Sequence, residues 1–188
     1  MSPVTLTTER LVLSAPTSAD VDAITAACQD PEIPRWTTVP TPYSREDAEG
    51  FVRLIAGWWE DGSQAIWAIR HDDALVGTIG LHHITEHPAG AHTELGFWMA
   101  AEARGNGFLT EAGRAVIDWG FAERGITRIQ WRAVVGNDAS ARAARAMGFR
   151  YEGLLRQALT SPRGRDDGWV AGLLATDDRV PVAWPIFD

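Results

Sequence analysis

The 188-residue chain has a single cysteine, Cys28. No disulfide can close within it, which excludes a disulfide-stapled scaffold and makes a cytosolic enzyme the simplest reading of compartment. It contains no run near the roughly 18 consecutive apolar residues that a membrane-spanning helix needs. Met1–Arg10 has no basic segment followed by an apolar one, so no secretory leader is read there. Internal repeats, low-complexity tracts and linkers of domain-boundary length are missing as well. So are a GxxxxGK(S/T) element with its P-loop lysine and a GxGxxG fingerprint. Positive charge is in deficit: the net charge of −8 disfavours general nucleic-acid binding, which depends on phosphate neutralisation. A phosphorylated small molecule remains possible, because backbone amides and a few local arginines can hold one against the global charge. With 45% apolar residues, one domain spanning 1–188 with a sizeable core is expected.

What is present reads as interspersed strands and helices. Thr5–Ser14 alternates as a strand around Leu11 and Leu13. Ser18 is placed to cap a short helix, with Asp20 and Asp22 in its first turn. Pro31–Pro42 holds four prolines and reads as an irregular loop. Ser44 and Asp47 resemble a capping box for a helix running towards Trp59 and stopping at Asp61-Gly62. Ala65–Ile69 and Leu75–Ile84 read as strands around an Asp72-Asp73 hairpin turn, with a second turn at Pro88–Gly90. Glu94–Met99 is a strand with Leu95, Phe97 and Met99 on one face and Glu94, Gly96 and Trp98 on the other. Thr110–Arg124 is helical by period and Gly125 is its C-cap. Arg128–Val135 is a strand, and Asp138–Met147 an Ala-rich helix closed by Gly148. Tyr151–Leu159 and Trp169–Ala175 form a last antiparallel pair joined by Pro162–Gly168. This order implies an α+β fold, with a mixed sheet carrying helices on its faces. The nine tryptophans read as core filling, as a wall of a binding cleft, or as a homodimer contact at Trp58, Trp59 or Trp184.

The segment that carries chemistry is Glu94–Glu111. A strand runs into Ala100–Asn106, and a helix starts near Gly107–Thr110. The first amides of a helix have no internal partners and lie at the positive end of its dipole. Glycines at 105 and 107 let a bulky anion approach the backbone. Strand, glycine loop and helix start together make a pyrophosphate cradle. The alternative is a tightly packed helix entry.

Arg104-Gly105-Asn106-Gly107-Phe108-Leu109 resembles the (Q/R)xxGx(G/A) acetyl-coenzyme A signature of the GNAT N-acetyltransferase superfamily, with Leu109 in place of the final small residue. The similarity is greatest to the ribosomal-protein N-terminal acetyltransferase branch. Thr8–Leu13 (TERLVL), Glu94–Trp98 (ELGFW), Asn137–Ser140 (NDAS), Met147–Phe149, Glu152-Gly153, and Asp167 ahead of Leu173-Leu174 are similar to that branch in the same order. The resemblance covers a core of about 8–176, with 177–188 as a C-terminal tail. It implies the GNAT fold: a mixed, mostly antiparallel sheet of about seven strands, with helices on both faces and a splay between strands four and five.

The same resemblance implies roles. Backbone groups of Phe97, Trp98 and Met99 would bond the pantetheine arm of acetyl-coenzyme A in the splay. Amides of Gly105, Asn106, Gly107, Phe108, Leu109 and Thr110 would hold the pyrophosphate, with Arg104 adding charge. Asn137 would bond the pantetheine or its surroundings. Arg142 or Arg145 would approach the 3′-phosphate, or be solvated helix residues. The reaction would be direct attack of a neutral amine on the thioester, aided by a base because an alkylammonium has a pKa near 10.4. Glu94 is the first candidate for that base; otherwise it is a surface carboxylate. Ser140 is the candidate donor to the leaving thiolate, since Ala144 stands where many members carry tyrosine; otherwise it is an ordinary helix-start serine. Tyr151 is a third choice of donor, and Glu152 reads as structural.

His82, His83, His87 and His92 suggest a metal, but alternation points His82 and His83 to opposite faces and no Cys or Asp/Glu pattern accompanies them, so none is expected. Either His82 or His83 remains a candidate proton relay facing the acceptor. The acceptor site falls to Pro31–Tyr43, with Trp36 as a wall, and to Pro162–Gly168. The acceptor is expected to be a primary amine, on a small molecule or a peptide N-terminus, with a cationic amine suited to the acidic chain. Neither nucleic acid nor membrane is an expected partner. The competing readings are a non-catalytic acyl-coenzyme A sensing module and a nucleotide-binding protein using the same loop.

Overall fold

A computed structural model describes residues 1–161 and 164–187. Among them, eight strands form one sheet: β1 (Leu6–Thr7), β2 (Val12–Ser14), β3 (Ala65–His71), β4 (Ala74–Thr85), β5 (Ala91–Met99), β6 (Ile126–Val134), β7 (Arg150–Ser161) and β8 (Gly164–Leu174), in the order β1-β2-β3-β4-β5-β6-β8-β7. Every neighbouring pair is antiparallel except β5 with β6, which is parallel. The helices are α1 (Val21–Ala27), α2 (Glu32–Trp36), α3 (Arg45–Asp61), α4 (Phe108–Glu123) and α5 (Asp138–Ala146). No described helix is long and apolar enough to cross a membrane.

Local chemistry explains most of these elements. Ser44 caps α3 through the Asp47 amide, the Asp47 carboxylate bonds back to Ser44, and left-handed Gly62 ends the helix. Asp72 and Asp73 both take positive φ in the tight β3–β4 turn, as a two-residue hairpin requires. Strand alternation in β5 holds: Leu95, Phe97 and Met99 join the large core under α4 and α5. Trp98 joins a smaller cluster with Ile24 of α1 and Ile33 of α2 on the opposite face. Helix α3 gives Ala48 to the smaller cluster and Ile55 and Trp59 to the larger.

Several expectations are corrected. Thr5–Ser14 is a hairpin rather than one strand, because Thr8 N–H and the Leu11 carbonyl close a turn at 2.9 Å; this raises the strand count from about seven to eight. Thr17, not Ser18, caps the first turn. Pro31–Pro42 contains α2. The last hairpin is longer than expected, and Asp166–Gly168 belong to β8; of the expected connection, Pro162 and Arg163 lie outside the described residues. Trp59 and Trp184 are each only 1% exposed, so neither is a homodimer contact. Trp67 packs edge to face against both Trp59 and Trp119, with Trp59–Trp67 centroids 5.0 Å apart, and Trp59 lies tilted against Trp119. Trp184 donates its indole N–H to the Phe149 carbonyl at 3.1 Å, which ties the segment after residue 176 to the core.

Candidate active site

β5 and β6 pair only over Ala91–Glu94 and Ile126–Gln130. Beyond Glu94 and Gln130 they separate, while β6 continues against β8 and β5 against β4. The expected splay between the family's fourth and fifth strands is therefore this β5/β6 gap. It opens into a cavity of about 960 Å³ walled by β4, β5, β6, α2 and the starts of α4 and α5.

At one end of the cavity sits the start of α4. Its N-cap, Gly107, has φ 77° and provides no side-chain cap. The first internal bond joins the Glu111 amide to the Gly107 carbonyl, which leaves the amides of Phe108, Leu109 and Thr110 without helical acceptors. Gly105 has φ 79°, and a Cβ there would meet nothing within 4 Å, so an anion can approach the turn. The Asn106 side chain donates to the carbonyls of Ala103 and Arg104, fixing the loop from within. Unpartnered amides at the positive end of a sixteen-residue helix suit a diphosphate.

Arg104 is placed differently from the expectation. Its guanidinium turns back to the Met99 carbonyl (2.9 Å) and to Asp30 (2.6 Å), bracing the loop against the α1–α2 corner. The Met99 carbonyl is thereby occupied. Arg104 still lines the cavity, and a second cation beside the turn, Arg10, is one that sequence reasoning missed. It donates to the Asn106 carbonyl (3.1 Å), lies over the Phe108 ring, and pairs with Glu111, whose carboxylate also accepts from Thr8. Burial works against the ionised Glu111, but the bonds from Thr8 and Arg10 prevail and lower its pKa. The run Thr8–Leu13 carried this signal as a family likeness, though not its target.

Glu94 lines the cavity and receives both Nε (2.9 Å) and a terminal nitrogen (2.5 Å) of Arg132 on the same oxygen, Oε2. Oε1 has no partner among the described residues. Ser140 also lines the cavity. Its hydroxyl accepts from the Trp131 indole at 3.1 Å, and Asn137 caps α5 through the Ser140 amide. Arg142 and Arg145 both stack on Phe187. Tyr151 packs against Trp184 and does not line the cavity, and Glu152 is held by Arg128 at 2.6 Å.

From the segments expected to form the acceptor side, Trp36, whose indole donates to Glu32, Tyr43 and Asp166 line the cavity. Asp166 Oδ2 is buried without a hydrogen-bond partner among the described residues. His82 and His83 both line the cavity, contrary to the alternation argument. The β4–β5 register slips between His82 and Thr85, and His83 takes φ 52°, which brings both rings to one side. No three His, Cys, Asp or Glu side chains gather as a metal site among the described residues.

Residues 10–150 match the acetyltransferase (GNAT) domain family. An uncharacterised N-acetyltransferase of Bacillus subtilis, YoaA, is 33% identical over 159 residues, covering 84% of this chain and 88% of that protein. Mycobacterium smegmatis RimJ in complex with CoA-disulfide superposes with a TM-score of 0.84 at 20% identity, over 93% of this chain and 90% of its own. The ribosomal L7/L12 alpha-N-protein acetyltransferase RimL, in complex with coenzyme A, does so at 0.83 and 18%, over 91% and 98%. The two structural likenesses establish the fold. The domain match and the YoaA relationship go further, and with them the parted strands and the uncapped α4 have a family: the chain belongs to the GNAT acetyltransferases and is an acyltransferase.

Proposed function

We propose that this chain transfers an acetyl group from acetyl-coenzyme A to a primary amine, on a peptide N-terminus or a small molecule. The observation that carries the reading is the uncapped start of α4, opening where β5 and β6 part. Amides of Gly105–Thr110 would hold the diphosphate, and the main chain of Phe97 and Trp98 would flank the pantetheine in the gap. The Asn137 side-chain nitrogen is left over from its cap and is available to the same arm. Two proteins of similar fold carry coenzyme A, which supports this placement.

In the reaction the amine nitrogen bonds to the thioester carbon, the carbon–sulfur bond breaks, and the amine loses a proton. Arg132 fixes Glu94 through one oxygen and leaves Oε1 to take that proton, directly or through water. Ser140 would donate to the departing sulfur. A cationic acceptor would complete the unpartnered Asp166 oxygen, with Glu32 adding negative charge beside Trp36. A cytosolic setting belongs to the same reading.

The test is release of free thiol from acetyl-coenzyme A in the presence of spermidine and of short peptides with free seryl or alanyl N-termini. Amine-dependent release is expected. Glu94→Gln should lower kcat by about 10²-fold while leaving coenzyme affinity in place. Coenzyme binding without amine-dependent release from any probe would reject the function, and an unaltered Glu94→Gln would reject the base.

A further inference from the structure

His82 is held in a way that a merely space-filling histidine would not need. Its Nδ1 lies 2.7 Å from Gln64 Oε1. A carbonyl oxygen only accepts, so Nδ1 carries the hydrogen and Nε2 presents a lone pair. Nε2 has no hydrogen-bond partner among the described residues, and the partly exposed ring lines the large cavity. The ring lies over the cross-strand pair Gly80 and Gly96. A Cβ on Gly96 would sit 2.9 Å from Nε2, and one on Gly80 would sit 3.3 Å from it. A side chain on Gly96 would collide with the imidazole and force it to shift, while one on Gly80 would crowd it more mildly and clash first with Ile66, so the bare backbone at Gly96 is what lets the ring take this position. Gly96 is also two residues past Glu94, the last β5 residue paired to β6. The lone pair of Nε2 therefore stands at the point where the strands separate, where the acyl carbon arrives if coenzyme A enters the gap as proposed above.

We infer that His82 Nε2 is a fixed hydrogen-bond acceptor for the attacking amine, orienting its N–H so that the nitrogen lone pair faces the thioester. The inference rests on the proposed function and adds a substrate-contacting residue to it. The role is acceptance rather than relay: the Nδ1 hydrogen ends on an amide oxygen, which offers no onward path for a proton. The surroundings keep the ring neutral. Burial, reinforced by the charge of neighbouring His83, lowers its pKa to about 4. Glu94 from β5 and Arg132 from β6 line the same cavity and are paired with each other. A neutral acceptor does not repel a cationic amine, whereas an imidazolium would.

The test uses the full chain, acetyl-coenzyme A and whichever of the probe amines above the wild type turns over best. His82→Ala should lower kcat/KM for the amine by about 10²-fold with unchanged coenzyme affinity. His82→Gln, whose amide oxygen reaches near the Nε2 position, should stay within about tenfold of wild type. Gln64→Glu places a carboxylate against Nδ1, and should move the lower break of the kcat/KM profile, the one beneath the amine's own limb, up by about one to two pH units. Nitrogen-15 NMR of the imidazole in the wild type should show the Nδ1–H tautomer at neutral pH. Full activity in His82→Ala, or an Nε2–H tautomer, overturns the inference while leaving the proposed function intact. A wild type that acetylates no probe overturns the function and the inference with it. Should His82→Ala not fold, the Gln64→Glu profile and the tautomer decide.

Discussion

The Ser140 hydroxyl has one proton and two lone pairs. The Trp131 indole N–H fills a lone pair at 3.1 Å, so the hydroxyl hydrogen is left to point elsewhere, and the cavity lies beside it. If Ser140 is the donor proposed above, Trp131 positions it. Ser140→Ala is expected to lower kcat by about 10²-fold, the low end for an acid because a thiolate is already a fair leaving group. Trp131→Phe should give a smaller loss. If Trp131 acts through Ser140, the double variant should turn over no more slowly than Ser140→Ala alone; independent, additive losses would assign Trp131 to packing only. At this scale the chain was partly legible. Glu94, Ser140 and Asn137 all lie on the cavity. The bracing of Arg104 was not legible, because one of its partners, Asp30, stands 74 residues earlier in the chain, beyond any local pattern. His82 was ambiguous until a register slip, which depends on how β4 meets β5, turned His83 to the same side.

Between residues and the whole fold, the first hairpin and α4 act as one unit. Arg10 and Thr8 hold Glu111, a carboxylate in the first turn of the helix whose start is the proposed anion cradle. Left unpaired, Glu111 would repel a diphosphate. Arg10→Ala is therefore expected to weaken coenzyme A binding about fivefold, a modest effect because the arginine is partly exposed to solvent. Glu111→Gln in the Arg10→Ala background should recover most of that loss, as read by titration calorimetry. A double variant no better than Arg10→Ala would place Arg10 itself on the phosphate. Elements were legible where their signals are local, as with the Ser44–Asp47 box and the Asp72-Asp73 turn. They were misread where a turn is closed at a distance from the obvious turn formers. Thr8–Leu11 contains no Gly, Pro, Asn or Asp, and Thr8 supplies both a main-chain and a side-chain closure. Helix α2 was hidden by Pro31 and Pro34, although proline is compatible with a helix's first turn.

Across the molecule, the β5/β6 junction divides the sheet. Strands β1–β5 and β6–β8 are each internally antiparallel, and they meet through the short parallel pairing of Ala91–Glu94 with Ile126–Gln130. The gap beyond it removes β-ladder bonds from the middle of the sheet. A ligand whose arm lies in the gap and whose diphosphate rests on α4 would bridge the two halves, and it would bind only the folded chain. At a hundredfold excess over its Kd such a ligand adds about 2.7 kcal/mol of stability. For a chain of this size that raises Tm by about 5–10 °C. The expectation is a rise of that order with coenzyme A, and hydrogen-exchange protection at both Leu95–Met99 and Gly105–Thr110. ATP and NAD share the diphosphate but lack the pantetheine, so they should protect at most the second segment and shift Tm less. Equal shifts from all three would mean that the gap contributes nothing and that the helix start alone binds. Protection of Gly105–Thr110 without Leu95–Met99 would lead to the same conclusion, because only an arm lying between the parted strands can reach β5.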